Sequence, residues 1–95
     1  MHFALLYTVV DDYLERRGEF REEHLSLARA AHARGELLLA GAFAEPADGV
    51  LLVFRVDSAA VVEDFVQQDP YVVNGLVVSY RIRPWTVVVG AGPDR

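Results

Sequence analysis

Two stretches with helical spacing, each flanked by short apolar runs rich in β-branched and aromatic residues, constrain this chain more than any other feature. The runs are FALLYTVV (3–10), LLLAGAFA (37–44), VLLVFRV (50–56) and a last one over about 76–89 that Pro84 interrupts. Helical spacing runs from about Tyr13 to Arg34, and again after Asp57 or Ser58 as far as about Gln68. The punctuation agrees. Asp11 and Asp12 end the first run, Gly35 stops the first helix, and EPADG (45–49) supplies a turn. Gly18 is expected to break or loosen the first helix near its start. The order is βαββαβ, the ferredoxin-like split arrangement. It predicts an α+β fold, with two helices on one face of a four-stranded antiparallel sheet.

That fold leaves the second sheet face uncovered, and here composition matters. A chain of 95 residues is one domain, expected over 1–89, with GAGPDR (90–95) as a flexible C-terminal tail. It has no cysteine, so neither disulfides nor thiolate-bound zinc can reinforce it. Its hydrophobic share is 53%, high for this length, and a homodimer packed through the open sheet face would use that excess. The net charge is −5 and all nine basic residues are arginine. An acidic balance argues against a general nucleic-acid binder, whose affinity rests on phosphate neutralisation. No run reaches the roughly 18 apolar residues of a membrane span, and MHFALLYTVVDD lacks the basic start and cleavage site of a signal peptide. A cytoplasmic protein is expected.

Two polar residues fall on inward positions. Phe20, His24, Leu27 and Ala31 recur at spacings of four, three and four, one stripe of an α-helix. Val62, Phe65 and Val66 mark the inward stripe of the second helix, and Asp69 lies where that stripe would continue. In this topology the helices run antiparallel, so the first half of one lies beside the end of the other. Pro70 biases Asp69 away from the helical region and can aim its carboxylate sideways. A His24–Asp69 pair is the expected product, with the carboxylate orienting the imidazole as a general base requires. A core histidine satisfied by a buried carboxylate fits the same spacing. Spacing alone leaves both readings open.

Three segments, REEHLSLARAAHARGELLLAGAF, DSAAVVEDFVQQDPYVVNGL and YRIRPWTVV, carry a resemblance that covers nearly the whole chain. Their Arg-x-x-His, GELLLAG, DPY and basic-Pro-Trp elements, in this order, resemble the YciI-like (YCII-related) family. The resemblance implies a ferredoxin-like dimeric α+β barrel with an active site built around a histidine and an aspartate. By motif these are His24 and Asp69. One branch of the family resembles enzymes that remove chloride from hydroxylated aromatic rings, while other members are accessory or fused domains.

Further candidates surround the pair. Arg21, one turn before His24, could hold an anionic substrate group or pair with Glu22 or Asp69. Tyr71 could line a pocket or an interface, and Tyr7 could complete a cleft or pack in the core. Gly41 could permit close approach of a ligand in the second strand. Gly75 suits a turn, and Trp85 a core or dimer contact. His2 and His32 form no metal-ligand grouping with His24, and His32 is expected to face solvent. There is no Gly-rich phosphate loop, cysteine nucleophile or Ser-His-Asp set, so neither metal nor cofactor is expected. The reading that follows is a small cofactor-independent enzyme using a His-Asp dyad for lyase-type acid/base chemistry on a small organic molecule, a hydroxylated aromatic among the candidates. The alternatives are a non-catalytic ligand-binding or regulatory dimer, and a cofactor-free monooxygenase of the dimeric α+β barrel type.

Overall fold

The computed structural model describes residues 1–90. Its elements are β1 (His2–Val9), α1 (Tyr13–Ala33), β2 (Leu37–Ala42), β3 (Gly49–Arg55), α2 (Ala59–Gln68), α3 (Pro70–Val73) and β4 (Val77–Pro84). The strands form one sheet in the order β2-β3-β1-β4, with every neighbouring pair antiparallel. The expected α+β architecture is present.

Alternation along the strands places the core. Phe3, Leu5, Tyr7 and Val9 of β1 are buried, and Phe54, Leu52 and Val50, the β3 partners of the first three, are buried with them. Leu5 and Leu52 stand opposite each other and are fully enclosed. Burying a side chain of that size stabilises by ~1.5–3 kcal/mol. From the helices, Ala28 and Ala31 of α1 and Val62, Phe65 and Val66 of α2 close over this face. The helix-free face carries cross-strand rows such as Gly41–Leu51–Leu6–Arg81 and Leu39–Val53–Ala4–Arg83, with Leu39 62% exposed.

Four sequence expectations change. Helix α1 runs unbroken through Gly18, where a Cβ would meet nothing within 4 Å. An exposed helical glycine is disfavoured by about 0.5–1 kcal/mol against alanine, too little to break a helix of 21 residues anchored elsewhere. Strand β4 ends at Pro84, and the Trp85 N–H bond to the His2 carbonyl continues its pairing by one residue. Trp85 is not in the core, being 48% exposed. A short helix, α3, follows Pro70 where only a stop was expected. Beyond Gly90, the expected tail lies outside the described residues.

Gly35 and Gly75 share one task. Each has a positive φ (79° and 77°) just past a helix end. Glu36 and Leu76 then donate back to the carbonyls of Ala31 and Tyr71, the closing bonds of a Schellman turn. The second of these turns sends the chain from α3 directly into β4. His32 is exposed, as expected, and its Nδ1–H donates to the Leu37 carbonyl at 2.7 Å. Among the described residues no helix is long and apolar enough to cross a membrane.

Candidate active site

Asp69 sits between two helices. Its extended backbone (φ −69°, ψ 118°) follows from Pro70, which excludes the helical region for the residue before it. Pro70 then opens α3, since the first helical position needs no N–H. Asp69 is therefore the cap of α3, and its Oδ1 accepts the Tyr71 N–H at 3.0 Å. The same oxygen lies 2.8 Å from His24 Nδ1, and Oδ2 accepts the Tyr7 hydroxyl at 2.7 Å. The side chain is completely buried.

Three donors around one acid suit a carboxylate, which only accepts. The imidazole therefore donates from Nδ1. Tyr71 stacks on the ring, with centroids 4.0 Å apart and planes 11° from parallel. Nδ1 is tied and one ring face is covered. Nε2 is the nitrogen left for chemistry.

His24 lines a cleft of about 170 Å³ between α1, β2 and Tyr71. An apolar cavity of roughly 150 Å³ holds one benzene ring. On α1 the wall is a stripe at helical spacing: Tyr13, Arg17, Arg21, His24, Leu25 and Ala28. Ala40, Gly41, Ala42 and Val50 form the sheet side. Tyr13 meets Tyr71 edge-on at 5.7 Å, and the Arg17 guanidinium lies 5.6 Å from the Tyr13 ring centre. A larger groove of about 330 Å³ runs beside Arg34, Glu36 and Asp64, but it holds neither His24 nor Asp69.

Electrostatics separate the tyrosines. Burial is the main cause that raises the Tyr7 hydroxyl well above the ordinary tyrosine range, and the Asp69 charge and hydrogen bond add to it. Tyr71 is pushed up to about 12, mainly by burial and then by Tyr13, while Arg21 and Arg17 pull it down. Both hydroxyls stay protonated at neutral pH.

The structure brings His24, Asp69, Tyr7 and Tyr71 into contact, with Arg21 at the same cleft. Tyr7 does not line the cleft; it stands behind Asp69 and holds it, because its inward position on β1 points beneath α3. Arg21 pairs with neither Glu22, which meets Arg29 at 3.6 Å, nor Asp69, which is taken by His24. Gly41 borders the cleft, but a Cβ there would meet nothing within 4 Å, and its register partner Leu51 belongs to the helix-free face. Tyr13 and Arg17 went unnoticed in the sequence. Their signal was the spacing of four that leads through Arg21 toward His24. No group of three or more metal-ligating side chains occurs among the described residues.

The YCII-related domain matches residues 1–86. The chain belongs to that family. No curated protein matches this YCII-related chain. Among solved structures it is similar to 5-chloro-2-hydroxyhydroquinone dehydrochlorinase (TftG) from Burkholderia phenoliruptrix AC1100, in complex with 2,5-dihydroxybenzoquinone. The TM-score is 0.78 at 20% identity, over 99% of this chain and 100% of that one. At that identity the likeness establishes a shared fold.

Proposed function

We propose that this YCII-related domain is a small enzyme in which His24 acts as general acid/base at Nε2 and Asp69 orients it. The observation that carries the reading is the fully buried carboxylate bonded to His24 Nδ1 beside a ring-sized cleft. A histidine fixed at one nitrogen and facing a cleft with the other is arranged to move a proton. The reaction class that fits is elimination of HX from a small, hydroxylated ring. In the keto tautomer of such a ring, a hydroxyl proton has moved to the X-bearing carbon and made it sp3. Nε2 then takes a proton from a remaining hydroxyl, the electron pair of that bond forms the new double bond through the conjugated ring, and X⁻ departs. No electrons are gained or lost overall, so the balance requires no redox partner. Arg21 and Tyr71 would contact the substrate, and the Gly41 backbone would border it.

The likeness to a dehydrochlorinase makes 5-chloro-2-hydroxyhydroquinone the first probe. Chloride release should follow addition of the native chain, and His24→Gln should slow it by about 10²–10⁴-fold, the usual worth of a positioned acid/base. Release at the uncatalysed rate from this and related halogenated phenols, with tight binding retained, would favour a ligand-binding module instead. Oxygen uptake without chloride release would point to a monooxygenase. The same reading has two copies meet through the helix-free sheet face, where the Leu39, Leu51 and Leu6 rows lie. Sedimentation should give a dimer, and Leu39→Glu should give a monomer.

A further inference from the structure

Helix α1 carries four arginines, and they divide cleanly. Arg16 lies 3.9 Å from Asp12, and Arg29 lies 3.6 Å from Glu22. Arg17 and Arg21 line the cleft, and neither has a carboxylate within 4.0 Å among the described residues. The division is already written in the spacing. Positions three and four away from Arg17 are Tyr13, Leu14, Phe20 and Arg21. Those around Arg21 are Arg17, Gly18, His24 and Leu25. None of these helical neighbours is acidic. The two cations are instead each other's neighbours at i, i+4, an arrangement that destabilises a helix.

Nothing inside the cleft offsets them. Among the described residues no aspartate or glutamate lines it, and Asp69 is enclosed behind His24 with three donors already on its oxygens. Both guanidiniums act on the Tyr71 hydroxyl against the effect of burial, so their field reaches the inner wall. Arg17 is half-buried and held over Tyr13, while Arg21 is exposed. Past them the walls turn apolar at Leu25, Ala28 and Val50.

We infer that Arg17 and Arg21 form an anion-receiving pair at the cleft mouth, and that the molecule taken up is a small planar organic anion with its charge on oxygen and an apolar ring behind. The inference rests on the acid/base reading only for what happens to the anion once bound. Guanidinium groups suit such oxygens because their planar fork of donors matches a delocalised charge. The charge would sit at the arginines and the ring between Ala28 and Val50. In that pose one edge of the ring faces His24.

The probes are benzoate and its neutral isostere benzamide, each titrated into the native chain, Arg17→Gln and Arg21→Gln, with amide shifts read by NMR. Benzoate should saturate, with shifts at Gly41 and Tyr71, and benzamide should bind about tenfold more weakly or less tightly still. Each glutamine should weaken benzoate about five- to tenfold, as expected of a charge-assisted bond discounted for exposure, and leave benzamide within about twofold. Equal affinity for the two probes overturns the inference. So does benzoate that never saturates, or benzoate that binds both variants as it binds the native chain. Failure of the acid/base reading shows separately, as absent chloride release, and leaves the anion preference intact.

Discussion

Tyr7 and Tyr80 face each other across β1 and β4, and each donates its hydroxyl to a carboxylate on the helical layer above. Tyr7 bonds Asp69, and Tyr80 bonds Glu63. The two pairs share chemistry and register, yet their surroundings differ. Tyr7 and Asp69 are sealed, and Asp69 carries His24 and the Tyr71 N–H as well. Tyr80 and Glu63 are only half-buried, and the further partner of Glu63 is the exposed Gln67, at 3.4 Å. A carboxylate at the sheet edge can trade its tyrosine for water. One in the core cannot, so every donor around Asp69 depends on it. That dependence is what turns a Tyr–carboxylate bond into a device for aiming a histidine.

Removing the inner acid should have the largest effect. Asp69→Ala leaves Tyr7, His24 and the Tyr71 N–H without their acceptor and uncaps α3. Losing one member of a buried charged network costs about 3–5 kcal/mol, and urea denaturation should read a loss of that size. Tyr7→Phe removes one bond and keeps the others. It should cost about 1.5–3 kcal/mol, the range for a hydrogen bond to a charged group, and lower turnover while leaving benzoate affinity unchanged.

High pH sharpens the contrast. Tyr7 and Tyr71 are raised chiefly by burial, Tyr80 chiefly by its bond to Glu63. A tyrosine whose folded value lies above its unfolded one contributes fully below about pH 10 and loses that contribution as pH rises through the folded value. For Tyr71 the window runs from the ordinary 10.0 to about 12. Stability should therefore fall across it, with part of the tyrosinate absorbance appearing only as the chain unfolds. The smallest effect belongs to the outer pair. Tyr80→Phe should leave the melting temperature and chloride release within the scatter of ordinary surface substitutions, and an effect as large as that of Tyr7→Phe would erase the distinction.

Much of this arrangement was legible in the residues. Periodicity gives the two long helices and their antiparallel order, and the inward positions of His24 and Asp69 then meet at one end. Three features were harder to read. Asp-Pro reads as a stop, but an aspartate followed by proline is also a cap and a first helical residue, and the tight exit at Gly75 makes room for one further turn of helix. Tyr7 reads as inward, yet alternation cannot say that the space above it is filled by a carboxylate. Gly18 reads as a breaker because local propensity is all the sequence offers there, while packing on either side of it decides the outcome.

The most direct test of the dyad is the tautomer of His24, read from its imidazole ¹⁵N shifts in the native chain and in Asp69→Asn. With the ring neutral, the proton should reside on Nδ1 in the native chain, leaving Nε2 as the bare nitrogen, and that preference should fade in the variant. A proton on Nε2 in the native chain, unmoved by Asp69→Asn, would contradict the dyad and leave His24 as a core residue beside a cleft it does not serve.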